Sequence, residues 1–145
     1  MAGKSLTAAT AVYMLSITDL FTTPQQLQGF AADDVFNTDA IPSAETLMGV
    51  DGKLSGGFIY APIVQNIMLQ ADSDSNFIFD QWFATQQQQQ EAFIANAVVL
   101  LKAVGSKWNL TRGFLTQYKP IPDAKKILQA RSFQITWNIV APSAV

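Results

Sequence analysis

Ser132-Phe133-Gln134-Ile135-Thr136-Trp137-Asn138-Ile139-Val140 alternates more cleanly than any other stretch of the chain. Neighbouring side chains of a strand point to opposite faces. The segment is therefore predicted to turn Phe133, Ile135, Trp137 and Ile139 inward and Gln134, Thr136 and Asn138 outward. Burying each such large side chain stabilises a fold by about 1.5–3 kcal/mol, which puts this strand at the centre of a core. Upstream, Trp108 to Lys119 alternates with Trp108, Leu110, Arg112, Phe114, Thr116 and Tyr118 on one face. Phe93 to Lys102 is nearly continuous in apolar residues, so burial on both of its faces is expected. Gly105-Ser106 turns between these two strands, and Pro120-Ile121-Pro122-Asp123 begins an irregular stretch.

Further out the signals alternate between strand and turn. Ala11 to Asp19 reads as a first strand, broken at Thr22-Thr23-Pro24. Leu27 to Asn37 alternates loosely and is predicted as a strand, followed by a loop from Asp39 to Thr46 that contains Pro42. Val50-Asp51-Gly52-Lys53-Leu54 is a hairpin signal, because Asp-Gly tolerates the positive φ angles of a type I′ turn. Gly56-Gly57 then permits a bulge or bend. Ile63 to Leu69 alternates, with Ile63, Gln65, Ile67 and Leu69 opposite Val64, Asn66, Met68 and Gln70. Asp72-Ser73-Asp74-Ser75 supplies helix N-caps, and Ile78, Trp82 and Phe83 at helical spacing predict one helix over about residues 74–88. The Gln86 to Gln90 run reads as its solvated end. Many short strands and one helix imply a mainly-β fold, a β-sandwich or barrel with one flanking helix, in a single domain spanning residues 1–145.

The composition removes most chemistry. The 145 residues contain neither Cys nor His, so disulfides, thiolate sites, ordinary zinc sites and His-based triads are excluded. Asp33 and Asp34 are neighbours on a predicted strand and point to opposite faces, which prevents them from sharing a proton or a metal. Asp72 and Asp74 lack the glycine and closing Glu of an EF-hand loop, so capping is the expected role. Thr111-Arg112-Gly113, Lys125-Lys126 and Arg131 bring positive charge with no phosphate-cradling glycine pattern beside them. Asn109-Leu110-Thr111 matches a glycosylation sequon inside a predicted strand. No catalytic, cofactor or metal residue is assigned, and no enzymatic activity is expected. Leu6 to Ile17 superficially resembles a signal peptide, but Thr7, Thr10 and Ser16 interrupt it. No stretch approaches the ~20 apolar residues of a membrane span. A soluble product made in the cytoplasm, without membrane insertion, is expected.

Charged residues make up only 14% of the chain, against about 25% in ordinary domains. Such a deficit suits faces that end against other subunits. The charges are also segregated. Acidic residues dominate through Glu91, whereas Lys102, Lys107, Arg112, Lys119, Lys125, Lys126 and Arg131 follow with Asp123 alone. Two readings stay open: the fold mixes both parts, or it presents one acidic and one basic surface suited to head-to-tail association.

Met48-Gly49-Val50-Asp51-Gly52-Lys53-Leu54-Ser55-Gly56-Gly57-Phe58 resembles a segment of a family of bacteriophage tail-tube (virion structural) proteins. Gln65 to Ser73, Leu110 to Thr116, Lys119 to Gln129 and Phe133 to Trp137 match in the same order, with Ala130 standing where Pro is expected. The resemblance covers most of the chain after about Asp33. It implies a β-sandwich with a flanking helix, hexameric rings, and stacking of rings into a hollow conduit for DNA in the virion tail, assembled in the host cytoplasm. It also implies tail sheath, baseplate and terminator proteins as further partners. On that basis Asp33 or Asp34 is expected to face the lumen, where carboxylates would not hold phosphates. The loop and hairpin from Asp39 to Gly57 are expected to contact the next ring, through Asp39 and Met48, Gly49, Val50, Asp51, Gly52, Lys53, Leu54, Ser55, Gly56 and Gly57. Alternatives are another tail ring component, such as a terminator or baseplate hub, an effector-secretion tube homologue, or a small β-sandwich binding module. The last would need exposed aromatics, whereas Trp82, Trp108 and Trp137 fall at core-like positions.

Overall fold

The computed structural model describes residues 11–30, 36–102 and 104–143. Its elements are β1 (Ala11–Ile17), β2 (Phe21–Gln26), β3 (Phe36–Thr38), β4 (Ala44–Met48), β5 (Leu54–Phe58), β6 (Ile63–Leu69), helix α1 (Asn76–Gln89), β7 (Ala95–Leu101), β8 (Ser106–Tyr118) and β9 (Arg131–Ser143). Seven strands form one antiparallel sheet in the order β2-β1-β7-β8-β9-β6-β3, while β4 and β5, among the described residues, pair only with each other. The expected mainly-β architecture with one helix is what the chain adopts.

The sheet is rolled. β1 and β6 are not neighbours in it, yet the Tyr13 hydroxyl of β1 donates to Gln65 Oε1 of β6 over 2.5 Å. Tyr13 also meets Phe36 of β3 edge-on, with ring centroids 5.5 Å apart. One face of the sheet thus encloses the core, where Tyr13, Leu15, Ile67, Ile135 and Trp137 are buried. The helix closes one end of the roll with Ile78, Phe79 and Trp82 buried. Phe79 stacks on Phe133 at 4.2 Å, and the Trp82 indole donates to the Phe93 carbonyl over 3.3 Å.

Alternation holds in β6 and in β9 as far as Trp137, and then gives way to a change of face. Leu110 is buried on β8, and so is Gly113, three residues on. Between them Arg112 adopts a left-handed φ of 55°, and Ala95/Ala97 of β7 faces a shifted register, which marks a bulge. β9 stays in register with β8 here and turns with it. Val140 therefore packs on the core, whereas Ile139, predicted inward, is 49% exposed. A second irregularity lies between Leu115 and Gln117 and brings Tyr118 back over the core. Arg112, Phe114 and Thr116 consequently do not share the face of Trp108 and Leu110. Bulges reverse a face without any local sequence mark.

Other expectations are corrected as well. β2 runs through Pro24, which lies in the register break against β1 between Leu15↔Gln25 and Ile17↔Phe21, where the ladder is interrupted on an edge strand. Of the predicted strand Leu27 to Asn37, Phe30 makes an isolated bridge to Leu69 and strand structure resumes only at Phe36; residues 31–35 lie outside the described residues. β4 begins at Ala44, inside the predicted loop. Gly56-Gly57 forms no bulge, since β4 and β5 pair without a shift from Ala44↔Phe58 to Met48↔Leu54. β7 is buried on one face, with Asn96 exposed and Val98 half-buried on the other. Ser75 is the N-cap residue, but its hydroxyl does not cap the helix and instead accepts the Gln28 N–H at 2.8 Å.

Gly113 is explained by its partner across the ladder. It pairs with Trp137, and a Cβ at this position would lie 2.5 Å from two atoms of the indole ring. The ring lies over the glycine and occupies the space a side chain would take. Gly113→Ala should lower stability by about 1–3 kcal/mol through overpacking, read as a lower urea midpoint, and the same substitution should cost less when measured in a Trp137→Leu background, where the indole is gone.

Candidate assembly surface

The hairpin formed by β4 and β5 stands apart from the roll. All ten of its strand residues are exposed, and they include Leu47, Met48, Leu54 and Phe58. Val50 at the tip and Tyr60 beyond β5 are exposed too, with the Phe58 and Tyr60 rings edge-to-face at 4.8 Å. A two-stranded hairpin is at best marginally stable alone, and Met48, Leu54 and Phe58, exposed on one of its faces with Leu47 on the other, make it a candidate interaction surface.

Its turn differs from the expected type I′. Gly52 donates to the Gly49 carbonyl at 3.0 Å, and Gly49 donates to the Lys53 carbonyl at 2.8 Å. Gly52 has φ 83°, while Asp51 is not left-handed. A I′ turn needs both central residues at positive φ, so this is a longer loop closed by one left-handed glycine. Asp51 Oδ1 accepts the Lys53 N–H at 3.1 Å and braces it. A Cβ on Gly57 would meet nothing within 4 Å, and one on Gly56 only ordinary contacts. Nothing inside the subunit demands these two glycines. Glycine in a strand commonly marks the close approach of another backbone.

A second apolar patch lies at the helix end of the roll, where Ile121, Ile127 and Leu128 are exposed in the connection from β8 to β9. The connection is folded on itself by the Lys119–Asp123 ion pair at 3.0 Å and by Gln129 donating to the Asp123 carbonyl at 2.9 Å. Arg131 anchors it. This side chain is buried, donates through Nε to the Lys119 carbonyl at 3.0 Å, and reaches Asp80 of α1 through Nη2 at 2.7 Å. Tyr118 also donates to Asp80, and the guanidinium lies over the Tyr118 and Phe133 rings. Burial alone would raise the Asp80 pKa, but hydrogen bonds from Arg131 and Tyr118, with the guanidinium charge, hold it below the usual carboxylate range. The same Asp80–Arg131 pair joins the acidic and basic parts of the chain, and the helix end carries charges of both signs, so the fold mixes them there.

Among the expected site residues, Met48 to Gly57 thus fall together on one exposed hairpin, and Asp39 precedes it with its N–H donating to the Val64 carbonyl at 2.9 Å. Asp33 and Asp34 lie outside the described residues. Of the predicted core tryptophans, Trp82 and Trp137 are fully buried and Trp108 is partly so. Trp108 borders a pocket of about 300 Å³ at the open end of the roll, lined also by Phe36, Gln65 and Leu101. No cluster of three or more metal-ligating side chains occurs among the described residues, and no helix there is long and apolar enough to cross a membrane. Sequence reasoning missed the Ile121, Ile127 and Leu128 patch, which only the folding of the connection exposes.

Residues 4–141 match the family model described as tail fiber protein gp32. The chain belongs to that family, a phage tail structural family. Solved structures share its fold at identities too low to show more than fold. The anti-feeding prophage baseplate structure contains a chain that is similar with a TM-score of 0.61 and 8% identity, covering 100% of this chain and 99% of that one. The anti-feeding prophage tube terminating cap gives a TM-score of 0.58 at 10% identity, over 100% and 95% of the two chains. The sheath–tube complex of an extracellular contractile injection system in its extended state gives 0.56 at 15% identity, over 92% and 88%. No curated protein matches the chain in sequence.

The Asp80 cluster is expected to make stability acid-dependent. Because the folded-state pKa of Asp80 is lowered, its contribution is present above the unfolded value of about 3.9 and is lost as pH falls through the folded value. Asp80→Asn should lower stability modestly at pH 7, by about 1 kcal/mol, because the Asp80 side chain is 40% exposed and solvent screens its pairing with Arg131. It should also flatten the fall in unfolding midpoint below about pH 4, measured by urea titration across pH.

Proposed function

We propose that this protein is the structural subunit of a phage tail tube, assembling into hexameric rings that stack head-to-tail into a hollow conduit for DNA, without catalysis. The exposed apolar hairpin, separate from the roll that folds the chain, carries this reading. A monomer gains nothing from Leu47, Met48, Val50, Leu54 and Phe58 in water, whereas a heterologous contact repeated around and along an axis covers them in every copy. The β8–β9 connection offers a matching surface. Its exposed apolar side chains lie beside Lys125 and Lys126, and the hairpin carries Glu45 and Asp51 with Lys53. The fold shared with baseplate, cap and sheath–tube complex chains supports a place in such an assembly. Sheath, baseplate and terminator proteins are then the further partners, and the virion tail is the location.

The free sheet edges bear on how rings would close. β3 offers three residues and β2 carries Pro24, so a paired seam between neighbours is short and side-chain contacts must supplement it.

A tail-fibre subunit is the second reading, favoured by the family's own description. Negative-stain electron microscopy over a concentration series separates the two, with rings and hollow tubes expected for the first and solid elongated particles for the second. Deleting Asp51 to Gly56 should abolish tubes while leaving the subunit's circular dichroism spectrum and thermal unfolding close to native. Tubes that persist after the deletion would refute the role given to the hairpin.

A further inference from the structure

Amides and hydroxyls bond to one another across the strands on the outer face of β3, β6, β9 and β8, between the half-buried Val64 and Met68 of β6. Asn66 of β6 donates to Asn37 of β3 at 3.0 Å, and Gln134 of β9 donates to Asn66 at 3.3 Å. The Thr116 hydroxyl of β8 donates to Gln134 Oε1 at 3.0 Å and lies 3.1 Å from the Thr136 hydroxyl. These contacts join residues up to 68 positions apart in sequence, and strand register alone brings them together. Ser132 and Asn138 extend the face along β9, both exposed. From Thr111 to Gln117 on β8 and from Ser132 to Ile139 on β9, Arg112 is the one charged side chain on this face among the described residues. It lies 5.8 Å from the Phe114 ring centroid and borders a pocket together with Thr136 and Asn138.

We propose that this neutral amide–hydroxyl face lines the bore of the assembled tube. The inference rests on the tube reading and adds to it the chemistry of the wall. The other surfaces suit the role less well. The hairpin and the β8–β9 connection expose apolar side chains beside charged ones, the helix end is charged in both signs, and the outer side of β1 and β7 presents Val12, Met14 and Val98 with Ser16 and Asn96 but, among the described residues, no ladder of side chains bonded to one another. A wall that passes a polyanion must stay hydrated yet give its phosphates no cation to displace counterions. Side chains already bonded to each other meet both demands, since few of their donors are left free for a phosphate. β3 is also the free edge of this layer, so a seam made there continues the same wall into the next subunit.

The chain has no Cys, so Ser132→Cys and Asn138→Cys each introduce a single thiol on this face. In dissociated subunits both thiols should react with a small fluorescent maleimide and with a maleimide carried on a protein too wide to enter a bore. In tubes they should keep reactivity to the small reagent and lose it to the bulky one. A variant that does not assemble by itself is incorporated as a minority among native subunits. Tubes reacting with both reagents would put the face outside, and tubes reacting with neither would put it in a subunit contact; either result overturns the proposal while leaving the tube intact. Native protein that forms no tubes would instead refute the tube reading.

Discussion

The buried amide of Gln65 holds the roll closed. Its Oε1 accepts the Tyr13 hydroxyl at 2.5 Å and the Trp137 indole N–H at 3.0 Å, tying β1, β6 and β9 together across the core rather than along the ladder. Gln65 is only 2% exposed, and a buried polar group without a partner costs about 1–3 kcal/mol. Packing the core without the Tyr13–Gln65 bond would leave that buried hydroxyl without its partner. Satisfied networks of this kind select one packing over its neighbours. The adjacent residue, Asn66, points the other way into the ladder on the outer face. Slipping β6 by one position would put Asn66 in the core and Gln65 outside, breaking both sets of bonds. One register therefore sets the closure of the core and the chemistry of the exposed wall.

Much of this was legible where a segment's own pattern dictates its faces. Ile63 to Leu69 reads correctly because both its neighbours are regular, and the helix reads correctly from Ile78, Trp82 and Phe83. What escaped was decided by distant partners. Arg112 sits among residues that alternate on paper, and only the bulge against β7 and the indole over Gly113 turn β8 and β9 to their other faces. Ile139 was misplaced for that reason alone. Pro24 marked a break by local rules, yet the interrupted ladder of the edge strand β2 removed the penalty.

The candidate surface divides in the same way. Asp51-Gly52 announced a hairpin, but its turn class depends on the Gly49–Lys53 bond, and the start of β4 depends on pairing with β5. The ladder from Asn37 through Asn66 and Gln134 to Thr116 could not be foreseen from composition. Asn, Gln and Thr are scattered along the chain, and only the order β3-β6-β9-β8 sets them side by side.

That placement accounts for how so few charges keep the molecule hydrated. Polarity on the outer face is supplied by groups that satisfy each other, while the ionic groups concentrate at the ends and in the Asp80–Arg131 tie. The hairpin contributes little to the roll, because none of its strand residues is buried against it. In the proposed assembly, folding and association fall to different parts of the chain. Burial of Trp137, Phe133 and Tyr13 stabilises the subunit, whereas the apolar side chains of β4 and β5 stay exposed in it. Such a separation lets a subunit remain folded at low concentration and commit its hairpin when a partner surface is presented. A structure built by ordered addition needs that behaviour, since subunits that associate before an end is available would form the wrong assembly.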